Sequence, residues 1–412
     1  MSVGKHRKSD PAYGWVVVGV GSIMLAAAVG LASSTISVFI KPLGAEYGWQ
    51  RGALSLVYST SVVGLALGGI VMGWFADRVS TRQMCLFGSA VLGGCLLLAS
   101  LADSLWQFYI LFFFAGLLGA GAIMVPLLAN IGNWFRFNVG LALGFATAGQ
   151  ALGQGAVPYG AALLVNGLGW RDAFMTMGLL VFVSMIPLAL LIRQPPPQPD
   201  ANGLEGVEDG NNTAGNTLSS NTVIVWLSCA VIFCCICMSV PLMHLVPLFQ
   251  DKGMSLDDAA SVLFIVLLAA VPGRIFFGRL ADKIGPLRAY LVASFWQTAL
   301  VYFFVQLNDT TLFYPFAFFY GFGYAGVMTG IIVCVRVMTP LAQRATALGV
   351  VTLFAWVGHG IGSFQGGALF DLTGNYAASY GTAALAGIVN LVIVASLYLT
   401  INRRKAYNVV AN

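Results

Sequence analysis

Twelve apolar runs, each long enough to form a membrane-spanning helix, follow one another along this chain of 412 residues. About 20 apolar residues in helical form cross the roughly 30 Å of hydrocarbon in a bilayer, and inside lipid the backbone must satisfy its own hydrogen bonds. The runs lie near residues 14–40, 52–76, 84–102, 105–133, 138–165, 172–192, 222–249, 257–281, 286–307, 311–337, 345–370 and 377–401. The sequence therefore predicts an all-α membrane protein with twelve transmembrane helices.

The charge content excludes most soluble classes of protein. Only 8% of the residues are charged and 58% are hydrophobic, whereas about 25% of a soluble chain is charged. The 20 Lys and Arg residues stand in ones to threes between apolar runs, so the net charge of +5 does not form the basic face of a nucleic-acid binder. We expect no nucleic-acid partner, and the lipid bilayer as the main surroundings of the chain.

The sequence lacks the signatures of an enzyme or a metalloprotein. It contains no nucleophile–base pair and no H-E-x-x-H helix. Cys234, Cys235 and Cys237 form one short helical cluster that cannot surround a tetrahedral metal. The seven cysteines lie mostly in apolar runs, which predicts free thiols. We therefore predict neither an enzyme nor a cofactor or metal site.

The distribution of basic residues predicts the orientation in the membrane. Fourteen Lys and Arg residues fall in the two tails and in one set of alternate loops, while the other set holds only Lys41, Arg51, Arg171 and Lys252. Because cytoplasmic loops carry the excess of Lys and Arg, both termini are predicted to be cytoplasmic, in a multi-pass protein of the plasma membrane.

A polar segment between the sixth and seventh runs separates two halves. Residues 193–221 contain three successive prolines, followed by Gly, Asn, Ser, Thr and four acidic residues, a composition typical of a flexible linker. We predict an N-terminal six-helix half at 1–192, a cytoplasmic linker at 193–221 and a C-terminal six-helix half at 222–412.

The two halves repeat each other at a constant offset of 205 residues. In what reads as the first outer loop of each half, Pro42, Glu46 and Gly48 match Pro247, Asp251 and Gly253, and in an inner loop Gly73, Asp77 and Arg78 match Gly278, Asp282 and Lys283. Secondary transporters commonly place their binding site between two repeated halves. The repeat therefore predicts a central site reached by alternating access.

The repeated inner-loop sequence resembles the signature of the major facilitator superfamily. It reads Gly73-Trp74-Phe75-Ala76-Asp77-Arg78 in one half and Gly278-Arg279-Leu280-Ala281-Asp282-Lys283 in the other. The resemblance extends over essentially the whole chain and implies the major facilitator fold in two pseudo-symmetric halves. In both motifs glycine lets helices approach, while aspartate faces a helix N-terminus and basic loop residues. We predict that these contacts close one side reversibly, with ordinary loop capping as the alternative.

Other motifs resemble the branch of monocarboxylate porters and oxalate:formate antiporters. They are Tyr13-Gly14-Trp15, Ser37-Val38-Phe39-Ile40-Lys41-Pro42-Leu43, Tyr47-Gly48-Trp49, Asn133-Trp134-Phe135 and Pro272-Gly273-Arg274. This resemblance implies a small organic anion as substrate, bound by an arginine at the position of Arg274.

Arg274 is the charged residue that lies deepest in an apolar run. It precedes Asp282 by eight residues, about 12 Å of helix, and an unpaired guanidinium in lipid costs several kcal/mol. All 15 acidic residues fall in tails, loops or helix ends, so none is placed to pair with it. A substrate carboxylate is the expected counter-ion, held by two parallel hydrogen bonds. The alternative is an arginine satisfied by backbone carbonyls and ring faces.

His359 lies at a similar depth in the eleventh run, at what resembles the position of a lysine in the oxalate:formate antiporter. It can titrate as a second cation beside the anion or donate a hydrogen bond while neutral; a core histidine bonded to backbone carbonyls is the alternative. Animal monocarboxylate porters carry a lysine where this chain has Ser34 and an aspartate where it has Ala270. Coupling then rests on His359, on the substrate's own carboxyl, or on exchange of one anion for another.

Polar side chains in other runs are further candidates for the binding site. They are Ser34, Thr35, Asn130, Gln150 and Tyr58. Hydroxyls in membrane helices often bond to the preceding turn instead, and amides often bond to a neighbouring helix. His244 lies about two helical turns from Asp251. Its role can be in a gate, in a helix interface or in a binding site, and the sequence does not decide among these alternatives.

Together these features predict a secondary active transporter for small organic monocarboxylates such as lactate or pyruvate. The resemblance implies proton-coupled symport by alternating access, with a proton or a counter-anion as the second transported species and a monomer as the functional unit. The first alternative is an anion exchanger of the oxalate:formate type. A drug:proton exporter and a transporter-like sensor are the others.

Overall fold

The computed structural model describes residues 11–76, 78–135, 139–195, 218–340 and 343–411. The regular secondary structure in these ranges is helical and forms twelve long helices. They are α1 (Ala12–Tyr47), α2 (Arg51–Ala76), α3 (Thr81–Ser100), α4 (Leu105–Trp134), α5 (Val139–Leu168), α6 (Trp170–Leu190), α7 (Ser220–Asp251), α8 (Leu256–Ile284), α9 (Pro286–Gln306), α10 (Thr310–Met338), α11 (Arg344–Thr373) and α12 (Ala377–Ala411).

Eleven of the described helices are long and apolar enough to cross a membrane. The remaining long helix, α5, has 30 residues but carries the polar Gln150, Gln154 and Asn166. Helices of this length span the hydrocarbon core with some tilt. The predicted all-α membrane fold with twelve helices is confirmed.

The helix ends differ from the sequence-based boundaries at α12, which runs ten residues past the predicted end, and at α1. The prediction ended this span near residue 40 and placed Pro42 and Glu46 in an outer loop, whereas α1 continues through Tyr47 and stops at Gly48, whose φ is +69°. The loop assignment was wrong because the polar residues here continue the helix. Lys41 can do so because it forms an ion pair with Asp251 of α7, in the other half. In the other half α7 likewise continues to Asp251.

The junction between the predicted halves lies partly outside the described residues. Helix α6 ends at Leu190 and α7 begins at Ser220 with a side-chain cap from Ser219. Residues 196–217, most of the predicted linker, are outside the described ranges. The domain boundaries at 192/193 and 221/222 stay a prediction.

The repeat at an offset of 205 residues is visible in the backbone. Gly48 and Gly253 both have positive φ, and so do Gly169 and Gly374, a conformation that glycine adopts without steric cost. Helix contacts repeat as well: a Cβ at Gly68 would collide with the carbonyl of Leu117, and one at Gly273 with that of Phe322. The two six-helix halves are thus built on one plan.

The halves meet along two long helix pairs and one short contact. Helix α2 packs on α11, α5 packs on α8, and the last part of α1 packs on α7. In the α5–α8 pair, the rings of Tyr159 and Phe264 stack with centroids 6.0 Å apart. These helices therefore form the interface between the halves.

Candidate functional site

Arg274 lies between the two halves and is only partly satisfied. Its Nη1 donates to the backbone carbonyl of Thr147 in α5 at 2.9 Å. Its Nε is buried without a hydrogen-bond partner, and no described carboxylate contacts the guanidinium. Because a guanidinium carries five donors and cannot deprotonate, this site retains the capacity to bind an anion. The peptide oxygen of Thr147, which it contacts, belongs to the opposite half.

Two buried tyrosines, Tyr324 and Tyr58, lie in the same region as Arg274. Tyr324 of α10 is 6% exposed and lies within electrostatic reach of both Arg274 and Tyr58. Tyr58 of α2 is 2% exposed and also lies near Cys235 of α7, so it reaches into the opposite half. The structure thus brings the predicted Arg274 and Tyr58 to one region through Tyr324. Sequence reasoning missed Tyr324 because one tyrosine among 14 carries no local signal of its neighbours.

His359 is buried beside the crossing of α2 and α11. Its Nδ1 has no hydrogen-bond partner among the described residues, and its ring centroid is 5.6 Å from that of Trp356. The next residue, Gly360, accepts a 2.8 Å hydrogen bond from Ser59 of α2. His359 therefore stands at the interface of the halves with a ring nitrogen unused, and no direct interaction with Arg274 is present in the described part of the chain.

Of the predicted hydroxyls of α1, that of Ser34 lies on a π-helical turn, Gly30–Ser34, where all residues are buried, and that of Thr35 directly follows the turn. The Thr35 hydroxyl donates to the Gly30 carbonyl at 2.8 Å, and Ser33 donates to Val29 at 2.6 Å. Ser34 contributes its carbonyl to Ser37, while its own hydroxyl lies 3.5 Å from that of Ser33. Such turns recur at functional sites because they widen the helix locally. Of the two candidates, Ser34 keeps its hydroxyl more available than Thr35.

Asn130 and Gln150 occupy different surroundings. Asn130 donates to Thr81 at 3.1 Å and accepts from Trp134 at 3.2 Å, so its amide joins α3 and α4 within the N-terminal half. Gln150 is half-buried in α5, next to Gly149, which packs against Ser22 of α1. Neither is joined to Arg274 by a described contact, and their role in binding stays a prediction.

The two loop motifs lie at the same end of the bundle as the start of α1 and the end of α12. Arg78 stacks on the Trp74 ring at 3.6 Å, and Asp282 and Lys283 are exposed at the end of α8; Asp77 lies outside the described residues. A Cβ at Gly73 or Gly278 would make ordinary contacts of 3.7 and 3.9 Å. The prediction that helices approach closely at these two glycines is therefore wrong. The close approach occurs five residues earlier in each helix, at Gly68 and Gly273.

A cluster of ionic side chains joins the halves at the opposite end. We call Lys41, Arg51, Asp251 and Asp371 the Arg51 cluster, and the end of the bundle where it lies the Arg51 end. Arg51 binds Asp251 through two hydrogen bonds, Nη1–Oδ2 at 2.6 Å and Nη2–Oδ1 at 3.0 Å. Lys41 reaches the same carboxylate at 2.7 Å. Two-point pairs of this kind are stronger and more directional than single contacts.

The Arg51 cluster also caps a helix across the halves. Asp371 of α11 accepts hydrogen bonds from the backbone N–H groups of Arg51 at 3.0 Å and Gly52 at 2.7 Å, the first residues of α2. The guanidinium of Arg51 lies 3.8 Å from the centre of the Phe370 ring. A carboxylate at a helix N-terminus is favourable because free N–H groups and the helix dipole face it. The sequence alone did not predict the Arg51 cluster, because its bonded residues are 200 to 320 positions apart in the chain.

A second ionic group at the Arg51 end stays within the N-terminal half. Arg171 donates to Asp103 at 2.6 Å and to the Tyr47 hydroxyl at 2.6 Å. Hydrogen bonds from Arg171 and then from Tyr47 lower the pKa of the Asp103 carboxyl below its ordinary value. This group stabilises the loops of one half and does not bridge to the other.

The cross-half contacts given above run from the Arg51 end to the level of Arg274. On α5–α8 they extend from Asn166, which donates to Asp257 at 3.0 Å, to Thr147 and Arg274. On α2–α11 they extend from the Arg51 cluster to Ser59 and Gly360. In the described residues, the halves are therefore joined by these contacts from the Arg51 end to the level of Arg274.

Comparison with known proteins assigns the fold to a family. The sequence model of the Major Facilitator Superfamily matches residues 23–295 and 227–411. The chain belongs to the Major Facilitator Superfamily. It is 22% identical to monocarboxylate transporter 2 of Mesocricetus auratus, over 98% of this chain and 86% of that protein. It is 27% identical to monocarboxylate transporter 13 of Rattus norvegicus, over 93% and 89%. The predicted resemblance to this branch is confirmed, and the protein is a membrane transporter.

Solved structures agree on the fold. A bacterial homologue of the human lysosomal transporter Spinster, in an inward-facing and unoccupied conformation, superposes with a TM-score of 0.73 at 16% identity, covering 96% of this chain and 98% of that one. A D-xylose–proton symporter gives a TM-score of 0.69 at 16% identity, covering 92% and 96%. At these identities the comparison establishes the major facilitator fold and nothing about the substrate.

Proposed function

We propose that this transporter carries small organic monocarboxylates, of the size of lactate or pyruvate, together with a proton. The single observation that carries the proposal is the state of Arg274: a permanent cation between the halves, with a buried Nε that lacks a partner and no described carboxylate beside it. A carboxylate supplied by the substrate neutralises that charge and takes up the unused donors. The names of the relatives in the monocarboxylate branch support the same substrate class.

Arg274 anchors the substrate in this proposal, and its neighbours fix the orientation. Tyr324 offers a phenolic hydroxyl in the region of the guanidinium, and Tyr58 lies near Tyr324. His359 offers its unused Nδ1, and Ser34 a hydroxyl on the π-helical turn of α1. A single cation among apolar helix faces suits a short monoanion better than a dicarboxylate, which would bring a second uncompensated charge.

Alternating access follows from the contacts of Arg274 and the Arg51 cluster. We infer that the Arg51 end faces outward, because the loops there hold few of the basic residues, so the contacts between the halves close the outer side of the site. Carboxylate binding competes with the Thr147 carbonyl for the guanidinium. Release of that cross-half bond would lower the cost of moving one half against the other.

The experiment is uptake into proteoliposomes, screened over mono- and dicarboxylates with and without a pH gradient. We expect monocarboxylate uptake to be stimulated by an inward proton gradient and to collapse with an uncoupler. Uptake of none of these anions under any gradient would overturn the proposal.

Anion exchange is the second candidate, and one observation favours it. No described carboxylate contacts Arg274, and Ala270 stands where animal monocarboxylate porters carry an aspartate. A transporter without a proton-carrying acid can instead return loaded with a second anion. In that case uptake would depend on preloaded counter-anion and would ignore the uncoupler.

A further inference from the structure

His244 of α7 occupies a polar junction between the halves, below the Arg51 cluster. Its side chain is fully buried, and both ring nitrogens are engaged. Nε2 lies 2.8 Å from the Ser363 carbonyl and 3.5 Å from the Ser55 hydroxyl, and Nδ1 lies 3.3 Å from the Tyr376 hydroxyl. We call His244, Ser55, Ser363 and Tyr376 the His244 junction. Ser55 belongs to the N-terminal half, so the junction bridges the two.

The partners of the ring determine where its proton lies. A carbonyl oxygen only accepts, so Nε2 must carry the hydrogen that points to Ser363. Tyr376 accepts a 3.0 Å hydrogen bond from Nη1 of Arg51, and its own hydroxyl proton is then free to point at Nδ1. A neutral imidazole that is protonated on Nε2 therefore completes an unbroken series of hydrogen bonds. The series runs from Asp251 through Arg51, Tyr376 and His244 to the Ser363 carbonyl.

A second proton on the ring conflicts with this arrangement. Nδ1–H would face a hydroxyl that already accepts from Arg51, and the Tyr376 proton would lose its acceptor. The imidazolium would also stand close to the Arg51 guanidinium, because both groups contact the Tyr376 hydroxyl. A buried positive charge without a counter-ion is costly.

No acidic group nearby is free to compensate that charge. The charged and titratable groups around the junction are Lys41 of α1, Arg51 of α2, Asp251 of α7, Asp371 of α11, and Tyr376 and Tyr380 of α12. Asp251 is bound by Arg51 and Lys41, and Asp371 by two backbone N–H groups. In the described part of α8, α9 and α10, no charged or titratable side chain contacts the ring.

We propose that His244 is a proton-binding site of this transporter, and that its protonation opens the Arg51 end. His244 binds the proton more tightly once the halves separate, because the ring is then farther from the positive charge of Arg51 and is exposed to water. By linkage, acidification shifts the equilibrium toward the open form, by at most about tenfold per pH unit for one proton. As the coupling step of uptake, this inference rests on the proposed proton-coupled function; as a conformational response to pH, it stands without any substrate.

The test measures the distance between the halves in the absence of substrate. Trp106 at the start of α4 and Leu312 at the start of α10 are exposed at the Arg51 end and lie outside the junction. Both are replaced by spin-labelled cysteine in a C229S background, since Cys229 is the exposed native cysteine. We expect the population with the longer distance to grow severalfold between pH 8 and pH 5, and the response to vanish in H244Q. The glutamine amide can still donate to Ser363 but does not titrate.

Matched variants keep the test decisive. H359Q alters the other described histidine and should retain the response. If H244Q does not fold, Y376F serves instead: without the hydroxyl that favours neutral His244, the response to pH should shrink. An equal response in H244Q and the parent protein overturns the inference. Failure of the proposed function would be recognised separately, as a pH response of the distance in a protein that takes up no monocarboxylate.

Discussion

Asp371 and Asn166 occupy the same position in the two repeats, 205 residues apart, and both tie their helix to the start of a helix in the opposite half. Asp371 accepts from the N–H groups of Arg51 and Gly52, whereas Asn166 donates to the carboxylate of Asp257. Gly52 and Asp257 are themselves related by the same offset. One of the contacts that join the halves at the Arg51 end is thus repeated, with donor and acceptor exchanged between the repeats.

The Asp371 contact predicts the effect of removing one charge. In Asp371→Asn one oxygen still accepts, but the charge-assisted bond to the α2 N-terminus is lost. We expect a loss of about 1 kcal/mol for the closed form, or roughly fivefold in the ratio of open to closed, measured with the Trp106–Leu312 label pair. Asp309→Asn is the control, because Asp309 caps α10 through Thr311 within one half. Equal distance distributions in both variants would show that Asp371 does not hold the gate.

Arg51 and Asp251 should be energetically coupled. Their side chains are 17% and 30% exposed, so the pair is partly shielded from solvent. A double-mutant cycle of Arg51→Gln and Asp251→Asn, read out as the open-to-closed ratio, should give a coupling of about 1 to 2 kcal/mol. Arg171→Gln is the control, since that arginine binds Asp103 within the N-terminal half. Additive single effects would mean that the pair contributes nothing to closure.

Much of the fold was predictable because long apolar runs admit few structures. The twelve helices and the offset of 205 residues follow from hydrophobic length and from repeated loop residues. The extension of α1 to Tyr47 was not predictable, because Lys41 and Glu46 resemble loop residues until their partners are known. The π-helical turn at Gly30–Ser34 likewise has no clear signal in one sequence.

The candidate site was predictable only where a charge stood out against lipid. Arg274 was evident because a guanidinium in an apolar run demands a partner. Tyr324 was not, since its importance comes from its neighbours in space rather than from its residue type. The pairing of Arg51 with Asp251 was hidden because both residues look like ordinary loop charges when they are considered separately.

Arg274→Lys tests the proposed anion site while keeping the charge. Lysine cannot form two parallel hydrogen bonds to one carboxylate and reaches less far toward Thr147. The loss of one charge-assisted bond predicts about a tenfold or larger fall in uptake at low substrate concentration. Arg279→Lys, an exposed position on the same helix, should transport normally. Near-normal uptake in Arg274→Lys would remove this residue from the site.

His359 and His244 have separable roles, which the pH profile of uptake distinguishes. His359→Gln removes a buried imidazole with an unused nitrogen near the interface of the halves. We expect KM for the monocarboxylate to rise roughly fivefold, the value of about one hydrogen bond, while stimulation by acid is retained. His244→Gln should show the converse: a nearly unchanged KM and a flattened profile between pH 5 and 8. A flat profile in His359→Gln with a normal one in His244→Gln would place the coupling proton beside the substrate and not at the gate.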